Sequence, residues 1–152
     1  MSPRASLGLS DETIASLKSL IQTHIQCRHR CNRCLDRVKD PIARAELRRL
    51  SALHHRQAGE LQSIVWSSER GADRAESIVD ALQLTRNRVL KSLTTQTVDL
   101  ADVASKERAA QARYDEAIGR NDQQVRTLLK QQKMNLGEVA DRLVAADSPG
   151  PI

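Results

Sequence analysis

The sequence predicts an all-α protein: an up-down four-helix bundle of two antiparallel hairpins, with an additional helix in the long crossover between them. Three observations carry this. Apolar residues are 39% of the 152, yet there is no Phe, one Trp (Trp66) and one Tyr (Tyr114). The core must therefore be built from Leu, Ile, Val and Ala, which suits packed helices better than sheets. Helix breakers are scarce, with six glycines and four prolines, and Pro3, Pro149 and Pro151 stand near the ends. Finally, the apolar positions recur at steps of three and four over long stretches.

The first helix is expected over 11–39. Ser10 supplies a capping side chain, and Asp11 and Glu12 face the positive end of the helix dipole. Its seam reads Ile14, Leu17, Ile21, His24, Arg28, Cys31, Leu35, Val38. Asp40-Pro41 ends this helix and opens the next, because Pro disfavours helix at the preceding residue and fits a first turn. The second helix, 41–69, carries Ala43, Leu47, Leu50, His54, Gln57, Leu61 and Ile64, with Gly71 as terminator. A third, 74–94, has Ile78, Leu82, Val89 and Leu93. The β-branched, polar stretch Thr94 to Val98 is expected to uncoil. Leu100, Ala104, Glu107, Gln111, Tyr114 and Ile118 line the next helix, 98–120, and Asn121-Asp122 makes a tight turn. The last helix, 122–146, shows Val125, Leu128, Leu129, Gln132, Leu136, Val139 and Leu143. One domain is thus expected over 10–146, between flexible tails at 1–9 and 147–152. A crossover helix of about 20 residues travels about 30 Å, the length of the bundle, which is the connectivity of ferritin-like folds.

Several short stretches also resemble a known family. Leu20-Ile21-Gln22-Thr23, Asp36-Arg37-Val38-Lys39-Asp40-Pro41, and Gly59-Glu60-Leu61-Gln62 with Val65 are similar to motifs of a bacterial family of ferritin-like four-helix-bundle proteins. Glu107 followed by Tyr114-Asp115-Glu116-Ala117, and Asp141-Arg142-Leu143, resemble its later motifs. The family is known only as a domain of unknown function, and the likeness runs from about Leu17 to Ala145. It implies a ferritin-like fold, a bacterial cytoplasmic setting and a stress-associated role, without an activity. Mid-first-helix, where that family often has an acidic residue, glycines and an aromatic, this chain has Gln26, Cys27, Arg30 and Cys31.

Chemistry concentrates in the first third of the chain. His24, Cys27, Cys31 and Cys34 form His-x-x-Cys-x-x-x-Cys-x-x-Cys, a stripe along one side of the first helix. Two thiolates and an imidazole suit Zn or Cu(I), which makes His24, Cys27, Cys31 and His54 candidate metal ligands, with His55 as an alternative from the facing helix. The competing reading is that cysteine packs as a small hydrophobe. Counted from the Asp40 turn, His24, His54, Gln111 and Gln132 fall at one height, with Glu107 within a turn or two. These five make a central polar layer whose plain role is mutual hydrogen bonding.

Several functions are disfavoured. A di-iron centre needs Glu-x-x-His on two helices, and neither Glu-x-x-His nor Asp-x-x-His occurs. No nucleophile triad or phosphate loop is recognisable, so no catalytic residue is assigned, no cofactor is expected, and a non-enzymatic role is favoured. The net charge is +5, and the excess is uneven: Arg28, Arg30, Arg33, Arg37, Lys39, Arg44, Arg48, Arg49 and Arg56 face only Asp36, Asp40 and Glu46 in the same stretch. Nucleic-acid association is a third reading of that stretch, against the plainer one of solvated helix faces. The first apolar residues are interrupted by Asp11, Glu12 and Lys18, and no run reaches the roughly 20 residues of a membrane span. The expectation is a cytoplasmic protein with reduced thiols, without a membrane partner, and a homo-oligomer such as a dimer.

Overall fold

A computed structural model describes residues 9–69 and 98–147. It contains four helices and, among the described residues, no strand: α1 (Asp11–Leu35), α2 (Pro41–Glu69), α3 (Leu100–Arg120) and α4 (Gln123–Asp147). Each helix packs on two others, α1 on α2 and α3, and α4 on α2 and α3. Ser16 near the start of α1 is level with Asn121 at the C-cap of α3, and Glu46 on α2 with Arg142 on α4. Neighbouring helices are therefore antiparallel and the diagonal pair α2/α3 is parallel. The end of α2 and the start of α3 thus lie at opposite ends of the bundle, as the connectivity of ferritin-like folds also requires. The expected helix over 74–94, and the tails at 1–8 and 148–152, lie outside the described residues.

Helix ends are set by local hydrogen bonds. Ser10 Oγ accepts the Thr13 N–H at 3.1 Å, capping α1. The first helix stops at Leu35, four residues short of the expected 39, because the turn is stabilised from outside. The Arg37 and Val38 N–H groups both return to the Cys34 carbonyl, while Arg44 Nη1 donates to the carbonyls of Leu35 (2.5 Å) and Val38 (2.8 Å). Asp40 Oδ2 accepts the Ala43 N–H at 2.9 Å and so opens α2. At Asp99 a reciprocal capping box with Asp102 starts α3 two residues later than expected.

The core is one apolar cluster running the length of the bundle, including Leu17, Ile21, Leu47, Leu50, Leu61, Val65, Val103, Leu129, Leu136 and Leu143. Its seam along α1 differs from the seven-residue reading. His24, Cys27, Cys31 and Cys34 are all buried, whereas Arg28 is exposed. A straight helix of 3.6 residues per turn drifts from a seven-residue repeat, and charge decides between adjacent positions: a guanidinium stays in water, a thiol does not. Among the described residues no helix is long and apolar enough to cross a membrane.

Candidate functional site

At mid-bundle the apolar core is interrupted by buried polar side chains from all four helices. His24 comes from α1, His54 and Gln57 from α2, Glu107 and Tyr114 from α3, and Gln132 from α4; each is at most 1% exposed. They are bonded in series. Glu107 Oε2 lies 2.7 Å from His54 Nε2, His54 Nδ1 lies 2.8 Å from His24 Nδ1, and His24 Nε2 lies 2.5 Å from the Tyr114 hydroxyl. Tyr114 donates to Gln132 Oε1 at 2.7 Å, and Gln132 Nε2 donates to Glu60 Oε1 at 3.0 Å on the exposed rim of α2. Gln57 and Gln132 also exchange side-chain-to-carbonyl bonds.

The direction of every proton follows from one end. Gln132 Nε2 faces two acceptors, Glu60 Oε1 and the Gln57 carbonyl, so its amide cannot be reversed without losing both. Tyr114 then spends its single O–H proton on Gln132 Oε1. His24 must accordingly donate through Nε2, which leaves Nδ1 as the acceptor of a neutral imidazole. His54 therefore donates through Nδ1. Its Nε2 and Glu107 Oε2 share one proton across 2.7 Å. The neutrality of His24 has an independent cause, since burial, and then the nearby His54, hold its pKa well below the ordinary histidine value. Burial pushes the Tyr114 hydroxyl far up, helped by Glu60, Cys27 and Glu107, so it stays a donor.

The cysteines divide. No disulfide joins them. Cys31 and Cys34 belong to the apolar cluster. Cys27 instead lies beside buried His54 and Glu107, and the candidate ligand atoms of the three all lie within 4.8 Å of one another. This Cys/His/Glu group could hold a metal ion. Burial foremost, and then the Glu107 carboxylate and Cys31, raise the Cys27 thiol pKa well above its usual value; burial, Glu107 and Cys34 do the same to Cys31. Both are thiols, not reactive thiolates, near neutral pH.

The sequence-predicted residues are thus placed unevenly. His24, His54, Glu107 and Gln132 are brought together. Gln111 is not among them: it is half-buried on the wall of a surface groove with Glu107, Arg108 and Asp141. Tyr114, nearly one turn further along α3, takes the inward position, because three residues leave it about 60° round the helix from Gln111 and its phenol reaches His24. Its sequence signal was its place in the α3 seam as the chain's one tyrosine. Gln57 also lay on a seam, but nothing marked its pairing with Gln132. The adjacent histidines face opposite ways: His54 is buried, while His55 is exposed and meets Arg28 at 3.2 Å. Other arginines of this stretch serve the fold, Arg44 at the turn and Arg49 on Glu46, which also meets Arg142.

A di-iron centre does not fit this layer. Such a site takes a carboxylate from each of two helices and a carboxylate with a histidine from each of the others. Among the described residues of this layer Glu107 is the one buried carboxylate, and Glu60 is engaged at the rim.

Fold and site together define a four-helix bundle with a buried, hydrogen-bonded polar middle. The chain belongs to the family described as "Domain of unknown function (DUF2383)", which matches residues 12–120. The match takes in α1, α2 and α3 with His24, Cys27, His54, Glu107 and Tyr114. No curated protein and no solved structure matches the chain.

Proposed function

We propose that this chain is a non-enzymatic, ferritin-like bundle in which a polar chain of its own side chains replaces the di-iron centre. One observation carries the reading: the layer where this architecture places its metals is filled by the series Glu107–His54–His24–Tyr114–Gln132. Buried hydrogen bonds of this kind select one pairing and register among the many that apolar surfaces would accept. The bundle then presents a fixed exterior, and its work is interaction rather than turnover.

The experiment is ferrous-iron oxidation under air by the full chain, followed optically. The expected rate equals that of buffer, and protein-dependent, saturable oxidation would overturn the reading. The ordering role has its own readout. His24→Leu combined with His54→Leu should keep helical circular dichroism but lose amide dispersion in NMR spectra, as alternative packings become equivalent. Full retention of dispersion would show that the layer does not specify the fold.

A further inference from the structure

We infer that Cys27, His54 and Glu107 form a site for one thiophilic divalent cation of the zinc class, buried among α1, α2 and α3. Each residue comes from a different helix, all three are buried, and their sulfur, nitrogen and oxygen atoms lie within 4.8 Å of one another. Tetrahedral zinc, with bonds of about 2.0 Å to nitrogen or oxygen and 2.3 Å to sulfur, separates its ligand atoms by roughly 3.3 to 3.5 Å. The His54–Glu107 contact at 2.7 Å must therefore open by roughly half an ångström to admit an ion.

Two further observations point to a cation. Glu107 Oε1 is buried without a hydrogen-bond partner of its own, and the Cys27 thiol faces the same carboxylate. A buried carboxylate oxygen left this way is costly unless something positive answers it. His54 is also prepared as a ligand. The proton order derived from Gln132 places its hydrogen on Nδ1, bonded to His24, and aims the Nε2 lone pair at Glu107. Metal-binding histidines are oriented in the same way, by a bond from the other ring nitrogen. His24, Tyr114 and Gln132 are then the supports behind the ligand.

Charge decides the class of ion. One thiolate and one carboxylate neutralise a divalent cation, so the filled site adds no net charge to a low-dielectric interior. Cuprous copper, which seeks several soft donors, would find one. Binding displaces two protons, one from the Cys27 thiol and one shared by His54 and Glu107, and changes no oxidation state. Access is short, because Glu107 also lines the α3/α4 groove, a cavity of about 320 Å³ with Asp141 and Arg108 at its wall. The inference does not depend on the non-enzymatic reading.

The test is titration of the chelator-treated full chain with Co(II), then Zn(II). One cobalt per chain should produce thiolate-to-cobalt charge transfer and the intense visible bands of tetrahedral geometry. Zinc should bleach both, with two protons released per ion in weak buffer. Cys27→Ser should abolish the charge-transfer band, and Cys34→Ala should leave it intact. Glu107→Gln should bind more weakly and release one proton fewer. His24→Asn should cost about 10- to 100-fold in affinity through loss of the support. An absent thiolate band in the unmodified chain, or one that survives Cys27→Ser, would overturn the site whether or not any variant is poorly folded.

Discussion

The middle of the bundle and its ends pack against the same helices with opposite materials. Towards one end Leu17, Leu61, Val65 and Val125 are buried, and towards the other Leu47, Leu50, Val103 and Leu143. Between them stand His24, His54, Glu107, Tyr114 and Gln132. Apolar contact is non-directional, so the end layers reward any arrangement that excludes water. The middle rewards one arrangement, because each donor has an acceptor at one angle and distance. Stability comes chiefly from the ends and uniqueness from the middle.

Breaking the middle should have the largest effect. His54→Ala removes the partner of Glu107 and the acceptor's donor at His24, and is expected to cost about 3 to 5 kcal/mol, read from urea unfolding midpoints. The double variant His54→Leu with Glu107→Leu should cost clearly less than that single change, since no buried charge is left behind. Additive losses would show that the pair is not coupled. An end-layer truncation gives the contrast: Leu61→Ala should cost about 2 to 5 kcal/mol, with no such rescue by a second site across the bundle.

Tyr114→Phe is gentler in volume but strands the His24 Nε2 hydrogen and Gln132 Oε1, for about 1 to 3 kcal/mol. Its calorimetric loss should shrink when His24→Leu is already present.

Burial of titratable groups also imposes a pH window. The folded-state pKa of His24 is lowered, so the unfolded chain binds more protons. Its contribution is complete above the ordinary histidine pKa of about 6.5 and is lost as pH falls below it. Cys27, Cys31 and Tyr114 are shifted up, so theirs is complete below the ordinary values of about 8.5 and 10 and is lost as pH rises past them. Unfolding midpoints should therefore peak between about pH 6.5 and 8.5, and His24→Leu should flatten the acidic side. The smallest expected effect is local: Asp40→Ala removes the cap on the Ala43 N–H and should cost about 1 kcal/mol.

Much of this arrangement was legible in the residues. Ser10, Asp40-Pro41 and Asn121-Asp122 act on their immediate neighbours, so their turns and caps follow from local chemistry. The heights of His24, His54 and Gln132 follow from counting along rods of fixed rise. Rotation about those rods was less accessible. Arg28 and Cys27 are adjacent, as are His54 and His55, and which of each pair faces inward depends on crossing geometry accumulated over several turns. The same uncertainty exchanged Gln111 for Tyr114.

The sequence by itself determined that the chain is helical, that its helices pair as hairpins, and that histidines, a carboxylate and glutamine meet near the middle. Those are consequences of periodicity, capping and composition, which act over a few residues. The tertiary structure alone decided that Cys27, rather than Cys31 or Cys34, joins His54 and Glu107, and that Tyr114 carries the bond from His24 to Gln132. These contacts bring together residues up to 90 positions apart, such as His24 and Tyr114. No local rule reaches that far; the packing of four helices sets each face to within the few ångströms that a hydrogen bond or a metal bond requires.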